Sequence, residues 1–189
     1  MPLFKPRNRA AMRRNRLIDR FVRGRGGATA VEFAMIALPF LALIMGVIEL
    51  SMVYLVSTTL ENATADIARE VRTGQLQTSG VPQNANTFSA AICGELAWLS
   101  SCSNNLYVDV NTLSDWSSYS TTPPTNNGQI DQTQLHFNMG GPGSIVMVRA
   151  FYQWTLFTPL LDGMAASLNG GSTLIVSTSA FMNEPYGAS

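Results

Sequence analysis

A chain of 189 residues with 12 basic and 12 acidic side chains has room for one domain of ordinary size and carries no overall charge. The balance conceals a segregation: residues 1–27 hold Lys5 and eight arginines against Asp19 alone, whereas the remainder holds Arg69, Arg72 and Arg149 against eleven acids. Net charges of +8 and −8 on the two parts of one chain exclude an evenly solvated surface and point to two compartments.

In the basic segment, RRNRLIDRFVR places Leu17, Ile18, Phe21 and Val22 on one helical face among arginines. Such a face suits an anionic cytoplasmic leaflet, at about 1 kcal/mol per basic residue near the surface. Nucleic-acid binding is the weaker reading, because the cluster abuts a membrane segment. Met12 offers an alternative start.

From Ala28 to Val56 the chain reads ATAVEFAMIALPFLALIMGVIELSMVYLV, with no charge between Phe33 and Ile48. As a helix, Phe33 to Val56 spans about 36 Å, enough to cross a bilayer core with some tilt. A cleavable secretory signal has a shorter apolar region, so this one reads as a retained anchor. The arginines before it fix the orientation, N-terminus cytoplasmic and C-terminal body across the membrane. Two residues depart from a plain anchor. Pro39 removes the hydrogen bond to the carbonyl of Met35 and favours a kink. Glu49 falls near the far interface, where exposure to the interface is the leading reading and a partner helix the second.

Leu60, Ala63 or Thr64, Ile67 and Val71 continue the helical period with charged residues between them, and Gly74 supplies a C-cap. The simplest reading is one helix over about 28–73, anchor first and amphipathic stalk second. Residues 75–90 read as a linker, and AAICGELAWL as a short helix. LYVDV, SIVMVRAFYQW and TLIVSTSAFM are strand-like and predict an antiparallel sheet with one buried face. SSYSTTPPTNNGQ and GGPG are loop chemistry, the first long enough to be mobile or functional. The predicted fold class is therefore α+β, divided as 1–27 basic leader, 28–56 transmembrane helix, 57–74 helix extension and 75–189 α+β domain.

Cys93 and Cys102 are the two cysteines, and an oxidising compartment favours a disulfide between them. Two buried free thiols are the other reading. His136 is the single histidine; no HExxH, GxSxG or phosphate-loop pattern accompanies it, and Asp109, Asp115 and Asp131 form no calcium loop. No enzyme, cofactor or metal site is expected. Trp98, Trp116, Tyr119 and Trp154 are candidates for an adhesive surface, with core packing the stronger reading for Trp98 and Trp154.

The junction RGRGGATAVEF is the most informative stretch. Gly27 precedes Ala28, Glu32 is the fifth residue counted from Ala28, and Phe33 opens the uncharged run. A glycine lets extended backbone enter a membrane protease without a side-chain clash. A cut there frees an α-amino group on Ala28, four residues and one helical turn from Glu32. A carboxylate in an apolar segment costs about 2.5–3.5 kcal/mol at a helix centre and wants a partner. The freed ammonium of this chain, or of the next subunit in a stack, is the candidate. Plain exposure of Glu32 at the headgroups, with no cleavage, is the alternative.

This order of basic leader, glycine, acid and apolar helix is that of a type IV prepilin, and GGATAVEFAMIALPFLALIMGVIEL resembles the TadE-like minor pilins, or pseudopilins, of tight-adherence pilus systems. The likeness extends to ENATADIAREVRTG, the cysteine pair around ICGELAWLSSC, GSIVMVRAFYQW with the following TPL, and the terminal AFMNEPYG. It implies a pilin-like fold, a long N-terminal helix packed against a small antiparallel sheet domain. It also implies cleavage by a prepilin peptidase, with Gly27, Ala28, Glu32 and Phe33 as the processing residues. Glu32, Pro39 and Glu49 become the assembly candidates. The implied partners are other minor and major pilins and the inner-membrane assembly platform. The implied location is the bacterial inner membrane, with a periplasmic domain that becomes extracellular in the pilus. The leader is long beside those of common type IV prepilins. The alternative function is an unprocessed inner-membrane assembly factor with a periplasmic protein-binding domain.

Overall fold

The structure, a computed structural model, describes residues 26–80, 83–99, 101–158, 161, 163 and 165–187. The leader reading therefore lies outside the described residues up to Arg25. Two compact units divide the chain, Met1–Met45 and Gly46–Ser189.

Helix α1, Gly26–Arg72, runs through Pro39 without a break in assignment. Its section in the first unit turns Val31, Phe33, Met35, Ile36, Leu38, Phe40, Leu41 and Leu43 outward. By length and composition the helix can cross a membrane, and its most apolar stretch has no residue buried in the protein.

In the second unit the same helix becomes amphipathic. Val56, Leu60, Ala63, Thr64, Ile67 and Val71 are buried, at the three-to-four residue spacing of one helix face, while Glu61, Asp66 and Arg69 are exposed. Thr73 and Gly74 close the helix, the Gly74 N–H donating to the Val71 carbonyl from a left-handed backbone. A single turn, α2 (Gln75–Thr78), follows. Helix α3, Ala85–Glu95, starts at a capping box: the Asn84 side chain accepts from the backbone of Asn86 and Thr87, and the Thr87 hydroxyl accepts from the Asn84 N–H. Its Phe88 and Ile92 join the core. Cys93 is disulfide-bonded to Cys102, which opens the short α4 (Cys102–Asn105).

The sheet has three antiparallel strands in the order β1 (Leu106–Leu113), β4 (Ile145–Thr155), β5 (Ser172–Met182). The central strand pairs Val108 with Ala150 on one side and Ala150 with Ser177 on the other. Alternation then assigns the faces. Leu106, Val108, Val110, Val146, Val148, Ala150, Tyr152 and Ile175 meet the buried stripe of α1 and the apolar side of α3 in one hydrophobic core. Met147, Arg149 and Phe151 point the other way, yet they are buried too.

That second face is covered by the chain between β1 and β4. It contains a 3-10 turn (Trp116–Ser118) capped by Asp115, a second (Gln132–Gln134) capped by Asp131, and a two-stranded ribbon, β2 (Thr125–Asn126) with β3 (Gln129–Ile130). Asn127 and Gly128 both have positive φ, the backbone that a two-residue hairpin turn demands, so the NNG of the predicted loop is a hairpin signal. The segment is tethered rather than free: the Arg149 Nη1 donates to the carbonyls of Ser120 and Thr122 at 3.3 and 3.0 Å. Trp98 departs from its expected core role. It is exposed, while Leu96 is buried in the core and Leu99 is partly buried against it. Trp154 is half-buried against the core as expected.

Candidate functional site

Gly27 and Ala28 lie in the first turns of α1, and Glu32 is one turn further on. The Glu32 side chain is exposed and has no hydrogen-bond or ion-pair partner among the described residues. Phe33 beside it is exposed as well. Glu32 thus stands one helical turn after Ala28 along the backbone of α1.

Glu49 behaves differently from both sequence readings. It is fully buried, and its two carboxyl oxygens accept separate backbone N–H groups, Phe157 to Oε1 at 2.7 Å and Thr158 to Oε2 at 2.9 Å. Its neighbour is the chain just past β4. These two amides follow the last residue of β4, where the ladder no longer supplies acceptors, so the carboxylate satisfies donors that burial would otherwise strand. The TPL that follows FYQW opens on one of them, Thr158.

A second buried charge was overlooked in the sequence. Asp109 on β1 and Arg149 on β4 are cross-strand partners, and the Arg149 Nε and Nη2 donate to Asp109 Oδ2 at 3.0 and 2.7 Å. Asp109 Oδ1 accepts the backbone N–H of His136 at 2.7 Å. The guanidinium also stands 5.3 Å from the ring centroid of Phe151. Asp109 and Arg149 therefore fasten the covering loop at both of its flanks. The alternation of LYVDV and VMVRAF carried a signal, an acid and a base each flanked by apolar residues in two adjacent strands. The imidazole of His136 is largely exposed, its Nδ1 3.8 Å from Asp109.

The far end of α1 meets the terminal NEPYG. Arg72 pairs with Glu184 at 3.1 Å, and the Glu184 N–H donates to the Arg72 carbonyl. Asn183 is buried and donates to the carbonyls of Met139 and Gly141. The Tyr186 ring lies so close to Gly74 that an added Cβ would stand 2.1 Å from it. Glycine is thus required twice, for its backbone and for the ring. Burial pushes the Tyr186 phenol above its ordinary ionisation range, against hydrogen bonds with Gln77 and Asn183. On the loop, the Ser117 hydroxyl holds Asp115 below the usual carboxylate range, and the Thr133 hydroxyl, with Gln134, does the same for Asp131.

Among the described residues no three His, Cys, Asp or Glu side chains gather as metal ligands.

The family model for TadE-like proteins matches residues 27–69. The anchor segment is TadE-like. The matched stretch starts at Gly27, contains Glu32, Pro39 and Glu49, and ends three residues short of the end of α1. No curated protein and no solved structure matches the chain. The single apolar helix of this TadE-like segment fits a single-pass membrane anchor.

Proposed function

We propose that this chain is a minor pilin of a tight-adherence pilus. A prepilin peptidase cuts it between Gly27 and Ala28, and it then takes part in pilus initiation, assembly or tip structure, and hence in adhesion to surfaces. The observation that carries the reading is that the TadE-like match begins at Gly27, the residue before the cut, and runs on through the anchor. The arginine leader stays in the cytoplasm by the positive-inside rule, and the disulfide-bonded sheet domain stands in the periplasm until assembly carries it outward. Other minor and major pilins and the inner-membrane platform are the partners, and the Ala28 ammonium with Glu32, which has no partner among the described residues, supplies the charges that register one subunit on the next.

One observation favours the second reading, an unprocessed inner-membrane assembly factor: α1 already includes Gly26 and Gly27, so a protease must unwind its first turn. Mass spectrometry of the membrane-extracted protein separates the two. The minor-pilin reading expects Ala28 as the first residue when the peptidase is present, and loss of that species in Gly27→Asp. Persistence of the full-length chain beside an active peptidase overturns it.

A further inference from the structure

Beyond Glu49 the helix keeps an apolar outer surface for another turn and a half. Leu50, Met52, Tyr54 and Leu55 are all exposed, Tyr54 at 72%, although the opposite face already carries the buried Val56. Three hydroxyls in this section bond back to their own helix. Ser51 donates to the Val47 carbonyl at 2.7 Å, Thr58 to Tyr54 at 3.1 Å and Thr59 to Leu55 at 2.9 Å. Hydroxyls turned back onto their own helix are the form that apolar surroundings demand. The carboxylate of Glu49 is likewise satisfied within the protein, and the first exposed charge after Glu32 on this helix is Glu61. Glu49 therefore does not mark the water boundary; that boundary lies beyond Leu55.

This moves part of the sheet domain. The Phe157 N–H binds the Glu49 carboxylate directly, and helical side chains lean toward the N-terminus, so Phe157 sits at or below the level of Glu49. Six residues of helix separate that level from Leu55, about 9 Å at the standard rise. Phe157 is 55% exposed, its ring 6.2 Å from that of Trp154. We propose that the end of β4 and the residues after it, led by Phe157 and Trp154, dip into the headgroup region of the outer leaflet, so that the domain rests on the lipid through a second contact. The occupant is lipid because the exposed residues follow the anchor segment in the same helix with no exposed charge before Glu61, and because the Trp154–Phe157 pair and an exposed Tyr54 suit the interface, where aromatic rings concentrate. The inference rests on the single-pass reading of α1.

The test uses the full chain, one copy per disc, in nanodiscs of phosphatidylcholine and phosphatidylglycerol. Brominated lipids carry the quencher either high on the acyl chain or near its end. Phe157→Trp, in a chain with Trp98→Phe, Trp116→Phe and Trp154→Phe, is the first reporter. Native Trp154, with Trp98→Phe and Trp116→Phe alone, is a second that leaves the site unaltered. Both are expected to be quenched by the shallow bromines, Phe157→Trp about twofold more than by the deep ones. Leu41→Trp, placed in the triple tryptophan-to-phenylalanine background, is the control for the anchor and is expected to favour the deep bromines. Deep quenching at Leu41→Trp with none at either reporter overturns the proposal and leaves that surface to water or to a neighbouring subunit. No quenching at any of the three overturns the anchor reading itself.

Discussion

Glu32 and Glu49 are the two carboxylates of the apolar part of α1, and the fold treats them in opposite ways. Glu32 is exposed and finds no partner among the described residues, whereas Glu49 is fully buried and accepts two backbone amides from its own chain. An acid in an apolar helix is costly wherever it stands. At position 49 the protein offsets that cost during folding; at position 32 no described residue does, and on the minor-pilin reading a neighbouring subunit supplies the partner. The first is thus a folding residue and the second, on the minor-pilin reading, an assembly residue.

Substitutions sharpen the distinction. Glu49→Ala strands two buried amides and should destabilise the sheet domain by about 2–4 kcal/mol, read as a lowered denaturation midpoint in detergent or nanodiscs. An unchanged midpoint would mean that water reaches Phe157 and Thr158. Cys93→Ser opens a loop with a sequence separation of 9 and should cost about 2–3 kcal/mol while leaving the Glu49 contact in place. It therefore separates general loss of stability from loss of the clamp. Glu49→Gln keeps one good acceptor and should cost about 1–2 kcal/mol, less than the alanine change; equal losses would show that only the full carboxylate fits. The smallest effect belongs to Glu32→Ala, which should leave the melting transition where it is and yet reduce co-assembly with other pilins. If pull-down of those pilins is unaffected, the pairing with the Ala28 ammonium is wrong.

Much of the fold was legible before any coordinates. The stripe of Leu60, Ala63, Thr64, Ile67 and Val71 names a helix face by period alone, and the near-continuous apolar run of SIVMVRAFYQW, rich in β-branched and aromatic residues, reads as a strand. The cysteine pair needed only a compartment. The partner of Glu49 was invisible for a physical reason: its donors are backbone amides more than a hundred residues away, and a backbone amide has no sequence signature. Trp98 misled because a large aromatic is buried on average, while here it is exposed and Leu96 is the residue buried in the core. The docking of NEPYG onto Arg72 and Gly74 was hidden likewise, although both segments stood out as motifs.

That docking gives α1 a mechanical property. The helix is held at two levels, by Phe157 and Thr158 at its midpoint and by Glu184 and Tyr186 at its C-terminal end. A pull along its axis cannot draw it past the sheet like a piston without shearing both attachments and the core between them at once. Parallel loading of this kind resists far more force than bonds broken one after another. A subunit hauled out of a bilayer by its helix would therefore bring its domain with it intact.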